Sequence, residues 1–105
     1  MVVYVVAQMT IHDPSTYLKY TSVSHKSVTR HGGKYLTRGE PLSVLEGDAP
    51  EQRMVILEFP DEEAARKAFS DPEYVEAAGF RRQASKGYMV MQKGSERGEN
   101  PDPHV

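Results

Sequence analysis

A chain of 105 residues with 13 basic and 15 acidic side chains, formal charge −2, is one domain's worth of sequence and has no surplus positive charge for gripping nucleic acid or an anionic membrane. It has no cysteine, which removes disulfides, thiolate catalysis, iron–sulfur clusters and cysteine-type zinc sites. No apolar run approaches the roughly 18 residues of a membrane span, and the amino end, MVVYVVAQM, lacks a basic segment and a small-residue cleavage site, so a soluble cytoplasmic protein is expected.

Val2 to Ile11 is rich in β-branched and aromatic residues and apolar on both alternating sets, which predicts a strand buried on both faces. Asp13 and Pro14 supply a helix cap and first turn. Ser15 to His31 then places Tyr17, Tyr20, Ser24, Val28 and His31 on one helical face, stopped by Gly32-Gly33. Lys34 to Gly47 reads as a long strand interrupted at Arg38-Gly39-Glu40-Pro41, where proline cannot donate to a ladder. A turn at Gly47-Asp48-Ala49-Pro50 leads to the clearest strand, Arg53 to Phe59. Asp61 caps a helix with Glu62 and Glu63 in its first turn and Ala64, Ala65, Ala68 and Phe69 as its apolar stripe. Asp71-Pro72 restarts a helix from Glu73 to about Gln83, in which Tyr74 and Phe80 read as core. Lys86-Gly87 turns into a last strand, Tyr88 to Gln92. Residues 1–93 form one domain, and 94–105 have no apolar periodicity and read as a flexible tail. Residues 80–93 carry four bases and no acid, read as a solvated face.

The order β-α-β-β-α-β, with the second α split, predicts an α+β fold: a ferredoxin-like antiparallel sheet with helices on one face. Those helices hide one face of a sheet whose strands are apolar on both. A homodimer is therefore expected, two sheets packing face to face and closing a barrel. The alternative is a monomer whose open face is made tolerable by Gln8, Thr37, Tyr88 and Gln92.

GxGxxG, GxxxxGK[ST] and GxSxG are absent, and the four histidines stand in no metal-ligand spacing. No signal points to a haem, flavin, metal or other cofactor, nor to RNA or DNA. The densest polar chemistry lies between His31 and Glu58. His31 is placed to move a proton near neutral pH, Arg38 to grip a carboxylate or enolate, and Glu46 or Tyr17 to orient them. Tyr17, Tyr20, Tyr35 and Arg53 would line a ligand site beside them. The blander reading makes His31 a helix C-terminal cap, Arg38–Glu46 or Arg53–Glu58 ion pairs, and Tyr17 and Tyr20 core packing.

The run His31-Gly32-Gly33-Lys34-Tyr35-Leu36, Arg38-Gly39, Val44-Leu45-Glu46-Gly47, Val55 to Pro60, Ala64-Ala65 and Pro72-Glu73-Tyr74 resembles the domain-of-unknown-function 1330 family over about residues 2–92. Asp13-Pro14 and the Tyr17/Tyr20 pair fit as well. Glu40 departs from it, standing where a second glycine often follows Arg-Gly, and so does Phe69, where the family often has an aromatic pair. The resemblance implies a dimeric α+β barrel, in a superfamily of cofactor-free monooxygenases, haem-degrading enzymes, lactone isomerases and barrels of no assigned chemistry. Two functions follow as expectations. One is binding or transformation of a small polar organic molecule by cofactor-free oxygenase- or isomerase-like chemistry; the other is a non-catalytic structural or ligand-binding homodimer.

Overall fold

In a computed structural model that describes residues 1–48 and 53–95, β1 (Val3–Ile11) runs down the middle of the sheet with its side chains split by the two-residue strand period. Val3, Val5 and Met9 are buried on one side, while Tyr4, Val6 and Gln8 are half-buried on the other. Asp13 then starts α1 (Pro14–Arg30) as foreseen, its carboxylate accepting from the Thr16 N–H at 3.2 Å. The helix ends at Gly32 and Gly33, whose N–H groups donate back to the Thr29 and Val28 carbonyls at 3.1 and 2.8 Å.

β2 (Lys34–Arg38) is shorter than the sequence implies. Its register irregularity lies between Tyr35 and Thr37, and residues 39–48 form no strand, so the expected continuation to Gly47 is corrected. The physical reason is that no partner stands beside them among the described residues. β2 is an edge strand, its neighbour β3 (Arg53–Phe59) pairs only as far as Arg38 and Val55, and Pro41 has no N–H to offer. Of the turn placed at Gly47 to Pro50, Ala49 and Pro50 lie outside the described residues.

Asp61 caps α2 (Glu62–Ser70), accepting from the Ala64 N–H at 2.7 Å, and Asp71 caps α3 (Pro72–Ala84). α3 passes directly into β4 (Ser85–Lys93), so the expected turn at Lys86-Gly87 is not present. Both residues pair with β1 instead, and Gly87 is required there because any Cβ would collide with the Gln8 carbonyl. The Gly94 N–H still donates to the Val2 carbonyl at 2.9 Å, and most of the predicted tail, 96–105, lies outside the described residues.

Strand order is β2-β3-β1-β4 with every neighbouring pair antiparallel, the ferredoxin-like arrangement foreseen from the element order. All three helices cover one face. The core beneath them contains Val3, Val5, Leu57 and Phe59 of the sheet, Val28 of α1, and Ala65 and Ala68 of α2. Tyr74 belongs to this interior, whereas Phe80 is only half-buried. Among the described residues no helix is long and apolar enough to cross a membrane.

Candidate functional site

Helical and strand periods bring polar groups together between α1 and the sheet. Tyr17, Tyr20, Ser24 and Val28 recur along α1 at steps of three and four and, with Thr21 four residues after Tyr17, share the face laid on the strands. Beneath them, the helix side of the sheet contributes Tyr35 and Arg38 from β2 and Arg53 from β3, while Arg81 enters from α3. These groups surround a chamber of about 30 Å³, room for a water or two. Tyr17, Thr21, Arg38 and Arg53 are shared with a wider groove of about 470 Å³ whose other walls are Ile11, Pro14 and Leu18.

Each guanidinium lies over a tyrosine ring. Arg38 stands 4.2 Å from the Tyr35 centroid, Arg53 5.8 Å from Tyr17 and Arg81 5.6 Å from Tyr20. Ring faces hold the cations but do not satisfy every N–H. The Arg53 and Arg81 Nε atoms are buried without a hydrogen-bond partner, and no carboxylate lines the chamber among the described residues. Gly39 makes the Arg53 position reachable: its φ is +76°, and a Cβ there would strike the guanidinium.

The tyrosines are donors here, not bases. Burial pushes the Tyr20 hydroxyl far above its ordinary value, helped by the nearby Tyr74; Tyr20 and Tyr74 share a hydrogen bond of 3.1 Å. Burial also raises Tyr17 and Tyr35, against the opposing pull of Arg53 and Arg38 respectively. Edge-to-face contacts of Tyr20 with Tyr17 and Tyr74, and of Phe69 with Tyr74, fix the ring orientations at centroid distances of 5.5, 5.9 and 5.0 Å.

Of the residues singled out from sequence, Tyr17, Tyr20, Tyr35, Arg38 and Arg53 meet at this chamber. His31 does not. It is the residue just past α1, where the helical period no longer aims a side chain, so the expectation that it faces the sheet is corrected. Its Nε2 lies 3.0 Å from Asp71 Oδ2 at the α2–α3 junction, beside Arg30, whose Nη1 donates to the same oxygen at 2.8 Å. Glu46 is exposed in the segment after β2. Neither expected ion pair is present: Arg53 and Glu58 are an odd number of residues apart on one strand and so point to opposite faces, and Arg38 and Glu46 make no ion pair. Glu40, the departure beside Arg38, folds back to accept from the Arg38 N–H and the Thr37 hydroxyl. Arg81, Phe69 and Met89 complete the chamber, and sequence reasoning missed this role. The acid-free stretch 80–93 held the signal for Arg81, but read as surface.

A four-stranded antiparallel sheet, helices on one side and a basic, tyrosine-lined chamber between the layers define an α+β protein of the ferredoxin-like class. The chain belongs to the family described as Domain of unknown function (DUF1330), whose model matches residues 2–95. A protein of unknown function from Rhodopseudomonas palustris is similar in structure, with a TM-score of 0.73 at 22% identity over 91% of this chain and 84% of that one. SnoaB, a cofactor-independent oxygenase from Streptomyces nogalater, is similar with a TM-score of 0.65 at 18% identity over 94% and 98% of the two chains. A conserved protein from Methanosarcina mazei Go1 gives 0.59 at 14% identity over 90% and 94%. At such identities the likeness is one of fold. No curated protein matches the sequence.

Proposed function

We propose that the chamber receives the oxyanion end of a small organic acid, enol or phenol, whose body lies in the adjoining groove. The observation that carries this reading is the pair of buried Arg53 and Arg81 Nε donors with no hydrogen-bond partner, in a chamber that no carboxylate lines among the described residues. An unsatisfied buried donor is destabilising by about 1–3 kcal/mol, so two at one place read as groups kept for a ligand. The chamber matches a carboxylate or enolate head in size, and the groove, walled by Ile11, Pro14 and Leu18, suits an apolar body.

Three cations around a bound enol or phenol lower its pKa by favouring the anion. Such a carbon-activated anion is the starting point of both cofactor-free oxygenation and double-bond isomerisation, and SnoaB, alike in fold, is an oxygenase of that kind. The described lining holds no general base, since the tyrosines are held neutral and His31 is engaged by Asp71 outside the chamber. The proton therefore leaves to water at the groove mouth. A homodimer closed through the open sheet face completes the proposal, supported by half-exposed Tyr88 and Val90 on that face. The non-catalytic reading, in which polar groups serve packing, draws support from the small volume of the chamber.

Thermal-shift and tyrosine-fluorescence titrations with acetate, benzoate and 2-naphthoate, each against its neutral amide, separate the two. Binding of at least one acid but not its amide, lost in Arg53→Met, is the expected result. Equal behaviour of all acids and amides, or no response, removes the anion site.

A further inference from the structure

Residues 41–48, PLSVLEGD, combine an apolar pattern with exposure. Leu42 and Val44 are 43% and 45% exposed, and Leu45 is fully exposed. The segment from Gly39 to Asp48 carries Glu40, Glu46 and Asp48 and no base. At the opposite edge of the sheet, the free side of β4 borders a groove of about 350 Å³ under α2 and α3. Its walls are apolar through Phe69, Met89, Val90 and Met91. Arg66, Arg81 and Arg82 line it with no carboxylate; Arg66 pairs with Glu62, but Arg81 and Arg82 make no ion pair among the described residues.

We propose that residues 41–48 of one copy of this chain dock along the β4 edge of a second copy, with Leu45 in the groove and Glu46 beside Arg82. An acidic apolar arm meets a basic apolar groove, and a bare strand edge gains a cover. The arm starts at the β2 edge, three strand spacings or about 14 Å from its own β4, and within one chain it would have to cross the sheet to reach it. Two-fold packing of sheets about an axis along the strands sets β2 of each copy over β4 of the other, so the contact forms twice and closes. The inference rests on the homodimer of the preceding proposal and not on its ligand.

The absence of cysteine makes the test direct. Leu45→Cys and Arg82→Cys, each exposed in one copy, are mixed, one carrying a mass tag, and oxidised mildly. Docking raises the local thiol concentration by about a hundredfold over micromolar collision, so a mixed disulfide dimer forms well above that from Leu45→Cys mixed with Lys26→Cys. Glu46→Arg weakens self-association about tenfold by sedimentation, and adding Arg82→Glu restores it. Copies that associate without the mixed disulfide overturn the arm contact and leave the dimer standing. A lone 11.8 kDa species overturns both. A Leu45→Cys/Arg82→Cys double variant that closes within one chain overturns the arm contact as well.

Discussion

Three guanidinium groups lean on tyrosine rings where a purely structural site would give them carboxylates, and that choice sets what single substitutions do. Replacing Arg81 by Met keeps the length of the side chain and removes a buried donor that has no partner. Folding stability is expected to hold or rise by up to about 1 kcal/mol, while affinity for the responding carboxylate falls at least about tenfold, roughly 1.4 kcal/mol. Denaturant titration and fluorescence binding on one preparation check both. A matched loss of stability and affinity would instead make Arg81 a packing residue. His31→Ala is expected to leave that affinity within about twofold, a change of roughly 0.4 kcal/mol, because His31 touches Asp71 and not the chamber. The tyrosines and two of the arginines were legible in the sequence because helical spacing and strand alternation aim side chains. Arg81 was not, since the ring it leans on, Tyr20, and its fellow lining residue Met89 come from elements whose docking no local pattern records.

At the scale of elements, two joints carry the helical layer. Ser27 is fully buried and donates to the Ala68 carbonyl at 2.7 Å, tying α1 to α2. Ser27→Ala is expected to destabilise by about 1 kcal/mol, a fall of roughly 4–8 °C in Tm for a domain of this size, with secondary structure by circular dichroism unchanged. The second joint is Asp71, whose carboxyl is held below its ordinary value first by the His31 hydrogen bond, then by the Glu73 N–H and Arg30. A carboxyl with a depressed folded pKa stabilises fully above its unfolded value of about 3.9 and loses that contribution as pH falls through the folded value. Thermal melts from pH 6 downward should therefore drop less steeply below about pH 4 for Asp71→Asn than for the parent. Equal slopes would mean that the junction is not where acid acts, leaving Asp13 and Glu40, both also lowered by hydrogen bonds, as the sensitive carboxyls. Most elements were legible from caps and periods; β3 matched to the residue, and α2 starts where its cap was placed. The misread pieces share one cause. Residues 42–47 have strand chemistry but no ladder partner among the described residues, and Lys86-Gly87 have turn chemistry but a partner in β1 that overrides it.

For the whole molecule the decisive surface is the sheet face the helices leave bare. Register places Tyr4, Val6 and Gln8 of β1 beside Met54, Ile56 and Glu58 of β3, and Tyr88, Val90 and Gln92 of β4 on the same side. Six of those nine side chains are apolar or aromatic. Tyr88 and Val90 are 49% and 51% exposed, and Tyr88 donates to Gln8, so the polar groups partly satisfy one another within the face. A contiguous apolar face of this kind, rimmed by polar groups, is the sort of surface that marks an interaction site. Val6→Glu sets a charge in its middle, on the central strand and away from the helix-side core. The expected outcome is a folded monomer: unchanged circular dichroism, and a sedimentation coefficient that falls from that of a dimer to that of an 11.8 kDa particle at micromolar concentration. A buried unpaired carboxylate opposes association by several kcal/mol, enough to move a micromolar dimer beyond detection. If the parent and Val6→Glu sediment alike, this face is not what joins the copies, and the barrel assembly is lost while the chamber, which lies on the other side of the sheet, is untouched.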